Sequence, residues 1–258
     1  MWRSIAVLWL LAACACAGTL ESRVLAPSVT VSAGQGTGSG VIFVRGERCF
    51  VLTAAHVVAG LRDVVMKLEG GQEKKYETFK DAAVAVILYE GDRKVGKVEM
   101  DAEVLAYSDD KDGEDLALLE IRKRAFIKEA GIFRADDNAM PIGTRLYHCG
   151  SLQGEMGSNS LTDGIISRVG RVWQGKVFEQ SSVTAFPGSS GGGVFTEGGE
   201  YIGMITRGAG ETFNLFIPTR RIRAWLRVIK YDWVVNPELP VPAVGKPAEA
   251  AKPLVAPK

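Results

Sequence analysis

A histidine, a carboxylate and a serine stand in three short blocks whose neighbours suit them to proton and acyl transfer. The run Phe50-Val-Leu-Thr-Ala-Ala-His56-Val-Val ends an apolar segment in an imidazole, the side chain whose ordinary pKa lets it exchange protons near neutral pH. Gly113-Glu-Asp115-Leu-Ala-Leu-Leu-Glu-Ile sets a carboxylate just ahead of an apolar strand. There it can accept from the second ring nitrogen and fix the tautomer. Phe186-Pro187-Gly188-Ser189-Ser190-Gly191-Gly192-Gly193-Val194 holds a hydroxyl in a turn whose glycines let backbone N–H groups converge on one point. Each block alone is a weak signal. Together, in the order His, Asp, Ser, they supply what a nucleophilic serine requires.

The elements that must position these blocks are short and β-rich. Val29–Val31, Val41–Val44, Phe50–Leu52, Val84–Leu88, Leu116–Ile121, Leu161–Ser167 and Tyr201–Thr206 are punctuated by glycine, a spacing that predicts a barrel or sandwich. After Pro218 the period changes. Ile222, Trp225, Leu226, Ile229 and Trp233 repeat as on one face of a helix, with Thr219 placed to cap it. The composition, 47% hydrophobic and 24% charged over 258 residues, excludes wholesale disorder, collagen and coiled coil. A net charge of +1 provides no basic field for nucleic acid.

Both ends separate from this body. Residues 1–17 read as a secretory signal peptide, because the apolar run Ile5–Ala17 is too short for a bilayer, which needs roughly 20 residues. Leu11-Ala12-Ala13-Cys14 has the form of a lipobox, with Cys14 lipidated and anchored to a membrane. Ala15-Cys16-Ala17 suits ordinary signal cleavage instead. Either way the chain is expected to be exported, lipid-anchored or periplasmic in a bacterial envelope, or secreted. Residues 22–236 form the domain, and 237–258, with six of the ten prolines, read as a disordered tail. Within the body Cys49 and Cys149 either form one bridge or stay as two buried thiols.

The blocks Thr-Ala-Ala-His56, Asp115-Leu-Ala-Leu and Gly188-Ser-Ser190-Gly-Gly resemble the triad blocks of the chymotrypsin superfamily of serine proteases. Gly38-Ser-Gly-Val-Ile, Thr162-Asp-Gly-Ile-Ile-Ser and Asn214-Leu-Phe-Ile-Pro218 make the chain most similar to its bacterial HtrA-type branch, over roughly residues 25 to 232. The resemblance implies an all-β fold of two packed six-stranded antiparallel barrels with a C-terminal α-helix. It implies Ser190 as nucleophile, His56 as general acid–base, Asp115 as its orienter, and the N–H groups of Gly188 and Ser190 as oxyanion hole. It further implies a primary specificity pocket with Thr184 as floor and Thr206, Arg207 and Gly208 along one wall. Thr184 is neutral, so small or medium apolar residues are expected at the cleaved position. Arg207 either turns into the pocket and favours acidic residues, or stays at the solvent-facing rim.

The chain departs from the family at Ser189, which precedes the nucleophile where trypsin-like zymogens carry aspartate, and at Gly193, where proline is usual. No peptide-binding domain is expected after the protease. The charged region from Glu69 to Asp112 reads as an extended hairpin of the first barrel. Three features call for plain structural readings: His148 as a core histidine, Gly34–Gly40 as turn glycines, and Arg220, Arg221, Arg223, Arg227 and Lys230 as a solvated helix face rather than a membrane-binding one. The expected activity is that of a serine endopeptidase acting on protein or peptide substrates, with no metal or organic cofactor implied. The alternatives are a catalytically idle protease-fold binding protein or chaperone, and an esterase using the same triad.

Overall fold

In the computed structural model, residues 19–34, 36–69, 72–90, 93–208, 211–242 and 254–255 are described. The segment 1–17, with Cys14, lies outside them. So do residues 243–253 and 256–258 of the tail.

The first barrel is assembled from β1 (Ser28–Ala33), β2 (Gly36–Arg45), β3 (Arg48–Thr53), the short helix α1 (Ala55–Val58), β4 (Arg62–Glu69), β5 (Gln72–Phe79), β6 (Ala82–Glu90), β7 (Arg93–Ser108) and β8 (Leu116–Ile121). Antiparallel pairing runs β1-β2-β3-β8-β7-β6 and returns to β1, closing a six-stranded ring and leaving its strands without free long edges. In β8, Leu-Ala-Leu-Leu-Glu-Ile, the consecutive residues Leu116–Leu119 are all buried, so the strand is covered on both faces and reads as apolar almost throughout. The charged stretch expected as one hairpin divides. Strands β6 and β7 belong to the barrel wall, and β4–β5 form a separate two-stranded ribbon beginning earlier, at Arg62.

The second barrel comprises β10 (Arg145–Leu152), β11 (Gly157–Trp173), β12 (Lys176–Ser181), β13 (Gly193–Thr196), β14 (Glu200–Gly208) and β15 (Asn214–Pro218). Its ring runs β10-β11-β12-β15-β14-β13 and closes on β10, with β9 (Ile132–Phe133) added in parallel on β14. The two-barrel architecture is thus that expected from the sequence. Aromatic rings join the barrels: Phe43 of β2 meets Tyr201 of β14 edge-on at 5.3 Å and Phe133 of β9 at 5.8 Å, and Tyr201 also contacts Phe195.

The C-terminal helix α2 spans Thr219–Val228. Thr219 is its first residue rather than its cap: Pro218 occupies that position, and no side chain caps the helix. Lys230 turns left-handed at φ 61°, so Trp233 falls in a following 3-10 turn, where it packs edge-on against Phe50. The expected apolar face, Ile222, Trp225, Leu226, Ile229 and Trp233, is buried throughout. Three arginines of the expected solvated face are instead paired: Arg220 with Glu179, Arg221 with Glu114, and Arg223, itself buried, with Asp137 at 3.1 Å. Beyond α2, the Leu239 carbonyl accepts from Arg45, and Leu254–Val255 forms a short strand, β16, parallel to Ala106–Tyr107. Cys49 and Cys149 are both buried free thiols, which settles the bridge question among the described residues; burial raises them to about 11 and about 12.

Candidate active site

His56 sits in α1, immediately after β3 delivers the chain to the space between the barrels. Asp115 precedes β8, the neighbour of β3 in the ring, so strand pairing brings the two residues together although 59 positions separate them. Both Asp115 carboxylate oxygens lie 3.0 Å from His56 Nδ1, and the His56 backbone N–H donates to Oδ1 at 3.2 Å. This grip leaves Nε2 as the ring's other exchange point. Asp115 itself adopts φ 57°, a left-handed conformation that asparagine and aspartate tolerate best among residues with a Cβ.

Asp115 is 4% exposed. Burial alone would raise its pKa, but the hydrogen bond and charge of His56, together with a hydrogen bond from the Thr206 hydroxyl, hold it below the usual carboxylate range. The loop before it is clamped from several sides. Glu114 N–H donates to Ser108 Oγ at 2.7 Å, Arg221 of α2 pairs with the Glu114 carboxylate, and Lys176 Nζ donates to the Gly113 carbonyl. The pairing of Arg221 is thus one reason the C-terminal helix matters to the site.

Ser190 lies in the turn between β12 and β13. Gly188 there has φ 94° and Gly191 φ 87°, both in the region that favours glycine. Among the described residues, the N–H groups of Gly188 and Ser190 donate to no backbone acceptor, whereas those of Ser189, Gly191 and Gly192 all do. Two uncommitted donors two residues apart are what an oxyanion hole is made from. Ser189 is buried and inward, its Oγ accepting from the Phe186 N–H at 3.1 Å. Ser190 Oγ makes no hydrogen bond among the described residues, and such serine–histidine contacts commonly tighten only with substrate bound.

What fixes this turn is a first-barrel strand. Ser39 of β2 donates its N–H to the Ser190 carbonyl at 2.8 Å and its hydroxyl to the Gly188 carbonyl at 2.6 Å. The same hydroxyl accepts from Ser151 N–H at 2.7 Å, and Thr53 Oγ1 donates to the Ser39 carbonyl at 2.7 Å. Gly38 permits the close approach, since a Cβ there would fall 2.5 Å from a Val57 methyl and 3.0 Å from the Ser190 carbonyl oxygen. The sequence marks Gly38-Ser-Gly only as a block shared with the family and does not disclose the part played by Ser39 and Thr53. The signal available was the flanking pair of glycines, which marks a backbone that something else must approach.

A cavity of about 280 Å3 beside Ser190 is lined by Ala185, Phe186, Pro187, Ser189, Ile205, Thr206, Arg207, Gly208 and Asn214. Thr206, Arg207 and Gly208 therefore line the space expected of them. Thr184 is not among the lining residues; its carbonyl accepts from Thr162 Oγ1 at 2.8 Å, and Asn214, one strand across, contributes to the wall instead. Arg207 lines the cavity while its side chain stays partly exposed at the edge. Its guanidinium lies over the Trp173 ring, 5.1 Å from the centroid, and donates to the Asp110 carbonyl. His148 is fully buried behind the turn, with Nδ1 2.9 Å from the Gly193 carbonyl, and burial lowers its pKa to about 4. Among the described residues, no cluster of three or more His, Cys, Asp or Glu side chains could hold a metal ion.

Two closed antiparallel barrels packed on one another are the architecture of the trypsin-like peptidase fold. The trypsin-like peptidase domain family matches residues 38–204, and the chain belongs to that family. Among curated proteins it is 28% identical over 177 residues to the serine protease Do-like HtrA of Lactococcus lactis, covering 65% of this chain. The chain spans about a third of that protein's length, 36%. Solved structures of the same fold include the HtrA-type protease AlgW with a tripeptide (22% identity, TM-score 0.59, 81% of this chain and 61% of that one) and Deg5 (22%, 0.57, 82% and 91%). The serine endoprotease from Yersinia pestis is similar too (21%, 0.59, 83% and 65%).

Proposed function

We propose that the chain cleaves peptide bonds by acyl transfer to Ser190. His56 removes the hydroxyl proton as Ser190 attacks and returns it to the leaving amine; a water activated by the same imidazole then releases the acyl group. Asp115 holds the ring in the tautomer with Nδ1–H and stabilises the imidazolium. The N–H groups of Gly188 and Ser190 receive the oxyanion. The observation that carries this reading is the buried, ionised Asp115 gripping His56 Nδ1 with both oxygens beside a turn with two uncommitted N–H donors. A fluorophosphonate probe should label the wild type and fail on Ser190→Ala, with peptide hydrolysis lost in parallel. Ser189→Ala should keep most of both. Equal loss from Ser189→Ala in a folded protein would overturn the register.

Export belongs to the same proposal. The reading rests on the arrangement of Met1–Ala17, with the lipobox as its favoured form. Cys14→Ala should then move the protein from membrane pellets to the soluble fraction and abolish fatty-acid labelling. A mature N-terminus at Gly18 in the wild type would decide for ordinary cleavage.

A further inference from the structure

Next to the cavity at Ser190 a second one opens, of about 370 Å3, walled by Arg171, Val172, Trp173, Arg207, Phe213 and Leu215. The two cavities share Arg207 and Gly208. On β14, Ile205 is bonded through its carbonyl to the Gly191 N–H at 2.8 Å, and past it β15 pairs with only one edge of the strand. Among the described residues, no strand takes the other edge of Thr206–Gly208. A peptide seated with one side chain in the Ser190 cavity can therefore run along that edge and place another in the second.

The polar content of the second cavity is cationic. The Arg171 guanidinium lies over the Phe213 ring at 5.1 Å, with Nε donating to Gln180 Oε1 at 2.9 Å. No carboxylate lies within 4.0 Å of it among the described residues. Arg207 lies over Trp173 at the same separation, and its charge is shared: Nη2 is 4.0 Å from both Asp110 Oδ2 and Asp115 Oδ2. A guanidinium stacked on an aromatic face keeps its in-plane N–H groups for a planar anion, which it can hold bidentately.

We propose that this cavity binds an acidic side chain, glutamate or aspartate, upstream of the cleaved bond on the acyl side, with Arg171 as its principal partner. The proposal rests on the peptidase reading above and adds a substrate class to it. It also moves the acidic preference entertained for Arg207 out of the primary pocket and into the neighbouring one.

The test uses the full chain and internally quenched peptides carrying Glu, Gln or Lys at each upstream position in turn. At one position Glu should exceed Gln by about 5- to 10-fold in kcat/KM, the size of one partly exposed charge-assisted pair. Lys should be poorer still. The Glu-to-Gln ratio should fall towards one in Arg171→Gln and in about 0.5 M salt, with Arg171→Lys, which keeps the charge but loses the fork, in between. No Glu preference at any position, or an undiminished ratio in folded Arg171→Gln, overturns the proposal. Fluorescence polarisation of labelled Glu and Gln peptides on Ser190→Ala separates the two readings. Glu-selective binding with no cleavage by wild type refutes the peptidase reading and upholds the subsite; cleavage without Glu selectivity does the reverse.

Discussion

Ser39→Ala isolates the contact on which the nucleophile turn depends. The Ser39 hydroxyl is buried and has two partners, accepting from Ser151 N–H and donating to the Gly188 carbonyl. Alanine removes one oxygen and strands both. Leaving one buried backbone group unsatisfied costs about 1–3 kcal/mol, so two cost about 2–4 kcal/mol after partial relaxation. For a domain of this size that corresponds to a fall in Tm of about 4–16 °C. The backbone bond from Ser39 N–H to the Ser190 carbonyl survives, so the turn should loosen at Gly188 rather than detach. Gly188 supplies one of the two proposed oxyanion donors, and misplacing one such donor lowers kcat by up to about 10²–10³. Differential scanning calorimetry and the rate of fluorophosphonate labelling read the two effects separately. If Ser39→Ala melts and labels as the wild type does, the Ser39 hydroxyl does not hold the turn, and the reasoning fails.

Asp115→Asn should fold and yet lose about 10⁴ in turnover, because an amide presenting N–H to Nδ1 favours the wrong tautomer; a loss below tenfold in a kinetic assay would remove Asp115 from the proposed mechanism. His148 gives a pH dependence of stability. Its folded pKa of about 4 lies below the ordinary 6.5, so the unfolded chain binds the extra proton. The stabilisation from neutral burial is complete above pH 6.5 and is lost as pH falls from 6.5 towards 4, amounting to about 2–3 kcal/mol by pH 4.5. Urea midpoints of wild type and His148→Gln at pH 7 and 4.5 should therefore converge on acidification, and a constant difference would contradict the burial account.

The sequence made some elements legible and hid others for physical reasons. Strands covered on both faces read as apolar runs, so β3 stands out by Cys-Phe-Val-Leu and β8 by Leu-Ala-Leu-Leu, while β1 shows only the alternating Val29 and Val31. Strand β7 does not stand out: Lys94, Lys97, Glu99 and Asp101 recur along a wall whose outer face is wet, so the run reads only as part of one charged hairpin, without its place in the barrel wall. Thr219 looked like a cap because its residue type suits one, but Pro218, the last residue of β15, already fixes the entry angle. The arginines of α2 read as solvated because helical spacing records which side they share and not what faces them. Their partners Glu114, Asp137 and Glu179 are supplied by loops and strands 41 to 107 positions away.

The same distinction governs the candidate site. His56, Asp115 and Ser190 were legible because their chemistry demands particular side chains in recognisable glycine- and alanine-rich settings. The groups that hold them act largely through backbone atoms: Ser39 on the Gly188 and Ser190 carbonyls, Ser108 on the Glu114 N–H, and Lys176 on the Gly113 carbonyl. A backbone partner leaves no mark of residue type at its own position, so only the side-chain partner could have been noticed, and serine and lysine are common everywhere. These contacts also run between units, from β2 to the turn before β13 and from β12 to the loop before β8. Stability at the barrel junction and geometry at Ser190 are therefore coupled through shared hydrogen bonds, and changes at Ser39 should move both together, whereas Asp115→Asn should move activity with little change in Tm.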